Sequence, residues 1–223
     1  MRLVFLFWIL FFTGPAFSQF LPTLMIEPVT VSDPFAYAAL VAKANQIMRE
    51  QHKVPLFLRA YVSTSITGQT QPGFNLSPSG SLAGIMANRE IFNRAPALAE
   101  IRAQINAITH TGPATYLKAI RFDGTNTPGW LGNTLVVTDQ EAVLLERVTL
   151  LKAALAVGPA EPPLINVFRV FAGAGPATHL VSINAASAVQ LAQFLDILNS
   201  VPNPLNASPI TVLSTIPYEE LSP

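Results

Sequence analysis

Arg59 and Tyr61 stand two residues apart in the stretch PLFLRAYVST (55–64), and a second arginine, Arg169, lies in LINVFRVFA (164–172). Alternate residues of a strand face opposite sides. The first stretch therefore divides into Leu56, Leu58, Ala60 and Val62 on one face and Phe57, Arg59, Tyr61 and Ser63 on the other. The apolar set suits packing under helices, and the mixed set suits a cavity. In the second stretch Val167, Arg169 and Phe171 share a face. Two guanidiniums facing one cavity would grip a carboxylate or phosphate through paired N–H groups. The structural alternative pairs each with a native carboxylate, Glu27 or Asp123 for example, or lets it reach to a rim. His179 alternates with Val181 and Ile183 in ATHLVSIN (177–184), which reads as a buried strand histidine. Arg59, Tyr61, Arg169 and His179 form the candidate ligand-binding set.

Other chemistries find little support. A metal or haem ligand needs a buried imidazole such as His179, yet no second histidine or carboxylate stands at HxH or HExxH spacing. No metal and no cofactor is expected. His52, in QHK after a helix, reads as solvated, and His110 reads as a loop residue. The chain has no cysteine, no GxSxG, and no serine with a local histidine or aspartate partner at a recognisable spacing, so no catalytic residue is assigned. Asp123-Gly124 reads as a polar turn, and Trp130, in TPGWLGN, as a loop aromatic that anchors a partner or packs on the core. FAGAGPAT carries Gly173-x-Gly175 after a strand, but a dinucleotide loop needs a helix next and the sequence continues as a strand.

These residues must be held by elements readable from periodicity. Strands are expected at 23–31, 55–64, 69–76 and 115–123 in the first half, and at 134–138, 164–172, 177–184 and 209–216 in the second. Helices are expected at 35–50, from about 81 to 108 with a break near Ala95-Pro96, at 139–155 and at 187–199. Ser32-Asp33-Pro34 supplies a cap and a first-turn proline for the first helix. The last residues, Tyr218 to Pro223, read as a frayed tail.

Each half thus reads β-α-β-β-α-β, the split βαβ order. Landmarks recur at nearly constant spacing: Thr23 and Thr134 are 111 apart, Arg59 and Arg169 110, Asn75 and Asn184 109, and Leu82 and Leu191 109. The spacing falls to about 94 at the last strands because the first half carries a helical insertion near 88–104. The near-identical words GPATYL (112–117) and GPATHL (175–180) are only 63 apart, so they are similar turns at inequivalent places. The organisation expected is a segment 1–18, a first repeat 19–125 and a second repeat 126–223.

Two such units in one chain resemble the dimeric α+β barrel superfamily in a fused form. The resemblance covers about residues 23–217 and rests on element order and internal spacing, without a diagnostic motif. It implies an α+β fold of two ferredoxin-like repeats, whose sheets form a barrel with helices outside. The superfamily includes small monooxygenases, haem-dependent enzymes, stress-responsive barrel proteins and proteins without known activity, and fold alone does not choose among them.

The N-terminus, MRLVFLFWILFFTGPAFSQF, has Arg2, an apolar run from Leu3 to Phe12, Gly14-Pro15, and small residues at Ala16 and Ser18. This is the order of a secretory signal. The run is shorter than the roughly 20 residues needed to cross a bilayer. An uncleaved anchor or a buried N-terminal helix is the alternative. Cleavage after Ser18 would leave 205 of 223 residues, exported to the periplasm or the medium, with a formal charge of −1. Near-neutral charge excludes a nucleic-acid footprint, and the absence of cysteine excludes a disulfide framework. At 50% hydrophobic and 12% charged residues, the chain must be held by its core alone. A non-enzymatic exported protein that binds a small apolar, amphipathic or anionic ligand, or a protein partner, is the first expectation. The alternatives are a cofactor-independent oxygenase or isomerase-like enzyme working in the barrel cavity, and a structural or homo-oligomerising protein with a filled core. N-terminal sequencing of the secreted chain is expected to begin at Gln19; a chain that keeps Met1 to Ser18 would remove the export reading.

Overall fold

The computed structural model describes residues 21–63, 71–125, 129–156, 162–173, 175–200, 204–205 and 207–221. The expected signal at 1–18 lies outside them.

The chain alternates strand and helix as the periodicity requires. β1 (Thr23–Val31) leads into α1 (Pro34–His52), which the Asp33 side chain caps by accepting from the Ala36 N–H at 3.0 Å. Lys53 closes that helix in the left-handed region (φ 59°), and its N–H bonds the Met48 carbonyl. β2 (Arg59–Ser63) and β3 (Gln71–Ser79) follow. Ser81 then caps α2 (Leu82–Arg94) through the Gly84 N–H. Pro96 enforces the expected break, a short 3₁₀ turn (Pro96–Leu98) before α3 (Ala99–Ile108). β4 (Thr109–Thr111) and β5 (Thr115–Arg121) complete the first half. The second half is β6 (Trp130–Val137), α4 (Glu141–Leu155), β7 (Leu164–Ala172), β8 (His179–Ala185), α5 (Ala188–Ser200) and β9 (Thr211–Glu220).

All strand pairings are antiparallel, and they close on themselves. The ring runs β1-β3-β2-β9-β6-β8-β7-β5 and returns to β1, with the short β4 added beside β1. Closure leaves these eight strands without a free edge. Within each half the pairing order of the four main strands is the same, second-third-first-fourth. The seams are β5 on β7 and β9 on β2. Gly73 permits close approach on β3: a Cβ there would lie 2.0 Å from the Tyr61 carbonyl oxygen.

The outer face packs under helices in two clusters. Val136, Ile165, Val167, Val181 and Ile183 meet Leu144, Val148 and Leu151 of α4 and Leu191 and Phe194 of α5. Val29, Val31, Leu58 and Ala60 meet Tyr37, Val41 and Met48 of α1 and Ile101 of α3. The inner face carries Leu24, Leu117, Ala119, Phe168 and Leu180, with Tyr61, Phe74 and Leu131 beside them. Among the described residues no helix is long and apolar enough to cross a membrane.

Four expectations change. β2 begins at Arg59, so Phe57 escapes the alternation and stacks on Phe92 under the helices, and Leu56 is half-exposed. β6 begins at Trp130, which therefore lies in a strand and packs on the outer core. His110 belongs to β4 rather than to a loop. Tyr218 to Glu220 are no frayed tail: they pair with Ser63, Val62 and Tyr61 and seal one seam of the barrel.

Candidate functional site

Inward-facing residues leave two neighbouring hollows inside the barrel. The larger, about 260 Å³, is walled by Pro28, Phe74, Leu117, Leu135, Val170, Ile216 and Tyr218. The smaller, about 110 Å³, is lined by Arg59, Tyr61, Phe168, Asn166, Ser182 and Asn184 among others. Ile26, Asn133 and Leu180 line both and form a waist between them. Cavities of this kind, mostly apolar with a few polar groups, are where small organic molecules bind.

The aromatic wall is continuous. Tyr61 stacks on Phe74 with ring centroids 4.8 Å apart, and Phe74 meets Tyr218 edge-on at 4.7 Å. The Arg59 guanidinium carbon lies 5.6 Å from the Tyr61 ring centre. Burial pushes the Tyr61 hydroxyl well above the ordinary phenol range and also raises that of Tyr218. Both rings therefore remain neutral near neutral pH.

Arg59 does not wait for an anion. Its Nε donates to Glu220 Oε1 at 2.6 Å and its Nη2 to Oε2, a two-pronged pair. The Gly129 N–H also donates to Glu220 Oε2 at 2.7 Å. The two side chains are only 9% and 11% exposed, so each charge depends on the other. The structural alternative weighed for this arginine thus holds, with Glu220 as the carboxylate in place of Glu27 or Asp123. Those two pair elsewhere: Glu27 accepts from Arg89 at 3.2 Å, and Asp123 from Lys152 at 2.6 Å.

The structure separates the candidate set. Arg59 and Tyr61 do line the interior. Arg169 and His179 face outward, because β7 and β8 point Phe168, Leu180, Ser182 and Asn184 inward and these two residues alternate with them. Arg169 Nε donates to Glu141 Oε2 at 2.7 Å, at the start of α4. His179 is buried as expected, with Nε2 3.4 Å from the same oxygen and Nδ1 2.9 Å from Thr178 Oγ1. Burial alone would raise the Glu141 carboxyl, but Arg169 and His179 outweigh it and hold the carboxyl below its ordinary range. Burial also lowers the pKa of the His179 imidazole, only partly offset by Glu141. Both ring nitrogens of His179 are engaged, so the residue does not fit a metal or haem ligand. Among the described residues no group of three or more His, Cys, Asp or Glu is arranged to hold a metal ion.

The facing also corrects two landmarks of the repeat. Arg59 is inward and Arg169 outward; Asn75 is outward and Asn184 inward. A slip of one residue reverses a strand's faces, so neither pair occupies equivalent points, although the two halves share a strand order.

Neither inward asparagine stood out in the sequence as a site residue. Asn184 is 1% exposed; its Nδ2 donates to the Leu164 and Ser182 carbonyls, which fixes the amide, and its Oδ1 has no partner among the described residues. Asn133, at the waist and 9% exposed, likewise keeps an unpartnered Oδ1. The signal was the alternation Leu131-x-Asn133-x-Leu135, hidden because Gly132-Asn133 resembles a turn.

No protein-family model matches the chain, and no curated protein matches it by sequence. Solved structures do match in fold. A proposed monooxygenase from Lactobacillus acidophilus NCFM shares 8% identity at TM-score 0.56, covering 90% of this chain and 93% of that one. A proposed monooxygenase from Fusobacterium nucleatum gives 8% and 0.55 over 91% and 93%. A chlorite dismutase variant from Candidatus Nitrospira defluvii gives 8% and 0.54 over 91% of each chain. At such identity the likeness is one of fold, that of the dimeric α+β barrels.

Replacing one member of the buried pair strands the other's charge, at a cost of about 3–5 kcal/mol. Urea unfolding is expected to show that loss for Glu220→Leu, and recovery of most of it when Arg59→Met is added. Equal losses for the single and double variants would contradict the pairing.

Proposed function

We propose that the chain is an oxygenase-type enzyme that holds an electron-rich, largely apolar aromatic molecule inside the barrel while dioxygen reacts with it. The observation that carries this reading is the hollow interior: apolar and aromatic walls that include Asn133, whose buried side-chain oxygen has no partner among the described residues. An unpaired buried acceptor is costly, and a hydroxyl on the bound molecule would satisfy it. The reading replaces the expectation of a non-enzymatic exported binding protein. Solved structures sharing the fold over nine tenths of the chain carry the names of enzymes, two proposed monooxygenases and a chlorite dismutase. A filled structural core fits poorly with cavities of about 260 and 110 Å³.

The residues have distinct tasks in this reading. Asn133 accepts a hydrogen bond from the substrate and sets its position along the barrel. Phe74 and Tyr218 together form an aromatic wall against its ring, and Leu135, Val170 and Ile216 exclude water. Tyr61 and Arg59 form the wall of the smaller lobe, with Arg59 positioned by Glu220. A substrate with an acidic CH₂ group reacts as R₂CH₂ + O₂ → R₂C=O + H₂O. The C–H electrons reduce dioxygen, one oxygen atom enters the product and the other leaves as water. Such a substrate ionises without a strong base. An isomerase would need a positioned base, and no carboxylate or imidazole lines either hollow among the described residues. The N-terminal segment 1–18 supports placing this activity outside the cytoplasm.

Anthrone is a suitable probe, followed by oxygen uptake and anthraquinone absorbance. The expected result is turnover above the uncatalysed rate, falling about 10- to 100-fold in kcat/KM for Asn133→Leu, as loss of one buried hydrogen bond implies. Uptake equal to the blank with anthrone and with 1,4-naphthohydroquinone, or an Asn133→Leu variant of full activity, would overturn the assignment.

A further inference from the structure

The helix-facing side of the β1–β3 pair is built unlike its counterpart in the second half. On β6 and β8 the outward residues Val136, Val181, Ile183 and Ala185 join one apolar cluster with α4 and α5. On β1 and β3 two successive rungs are Met25 opposite Ser77 and Glu27 opposite Asn75. Between those rungs and the α2–α3 segment lies a separate cavity of about 160 Å³. We propose that this cavity is a binding site for an uncharged, polyhydroxylated ring of monosaccharide size.

The chemistry of its walls points to that class. Phe57 and Phe92, stacked with centroids 4.8 Å apart, give one apolar surface suited to the C–H face of such a ring. The rest of the lining includes a carboxylate, a guanidinium, a carboxamide and a hydroxyl, in Glu27, Arg89, Asn75 and Ser77. These groups take neighbouring hydroxyls as donors and acceptors at once. Arg89 Nη1 and Nη2 both lie 3.2 Å from Glu27 Oε1, so the charges already cancel, and a neutral ligand suits the site better than an ion. The Tyr37 hydroxyl donates to Asn75 Oδ1 at 2.5 Å and fixes that amide, while burial pushes the Tyr37 pKa far up. Ser77 is 4% exposed and its Oγ has no partner among the described residues.

Polar groups beneath a helix layer are costly unless partnered, and here the buried Ser77 hydroxyl has no partner among the described residues, which an occupant would supply. The cavity has room for about five waters at roughly 30 Å³ each, which a single sugar ring would displace. The site also gives the first-half insertion a purpose, since α2 and α3 wall the cavity where the second half has only α5.

The test is calorimetric titration of the folded protein with D-glucose, D-ribose and sorbitol, and with glutamate and glycine as charged comparisons. Saturable one-site binding of a monosaccharide is expected, weakened at least ~10-fold in Ser77→Val, as loss of a buried hydrogen bond implies. Asn93→Trp, at the exposed rim of the cavity, is expected to block binding without touching the core, and Leu150→Ser, on the exposed side of α4, to leave it unchanged. No saturable sugar binding, binding of the amino acids only, or sugar binding that survives Asn93→Trp would each overturn the proposal.

Discussion

Closure of the sheet is the constraint from which everything else follows. With eight strands paired on both sides, every main strand has an inner and an outer face, and neither can be left to water cheaply. The outer face is covered by α1 to α5. The inner face has only itself, and its side chains cluster across the barrel in two groups yet leave two hollows between them. The result is a barrel with a dense shell and a hollow axis. A composition with 50% hydrophobic and 12% charged residues is what two buried faces on one sheet demand.

The few charges inside that shell sit where closure needs them. The seam between β9 and β2 is short, three residue pairs, and the Arg59–Glu220 pair lies at it. Apolar residues of similar volume could serve there at equal or lower cost; the ion pair joins β2 to β9 at the rung where Tyr61 meets Glu220. On the outside, Glu141, Arg169 and His179 tie the start of α4 to β7 and β8. These clusters hold elements in place, whereas the side-chain oxygens of Asn133 and Asn184 have no partner among the described residues.

The element order was legible from periodicity because strands with one face inside and one outside alternate cleanly. Leu58 and Ala60 went to the helices and Arg59 and Tyr61 to the interior as alternation requires. Absolute facing was harder to read. Arg169 and Val167 do share a face, yet nothing within LINVFRVFA says which face is inner; the neighbouring strands decide. The same limit misled the pairing of Arg59 with Arg169, whose spacing of 110 is one residue out of phase. Glu220 was invisible because Pro217 and a cluster of polar residues resemble a chain end. Only pairing to β2, a contact spanning some 160 residues of sequence, turns that segment into a strand. Long-range partners of this kind leave no local pattern.

The hollow axis is tested most directly by xenon, which enters empty apolar cavities. Methyl resonances of Ile26, Leu117, Leu135 and Leu180 should shift saturably under xenon pressure in the native chain, and should cease to respond in Leu135→Trp, where the indole fills the larger lobe. Unresponsive inner methyls alongside a folded spectrum would mean that the barrel is packed solid, and the account of a hollow, substrate-holding interior would fail.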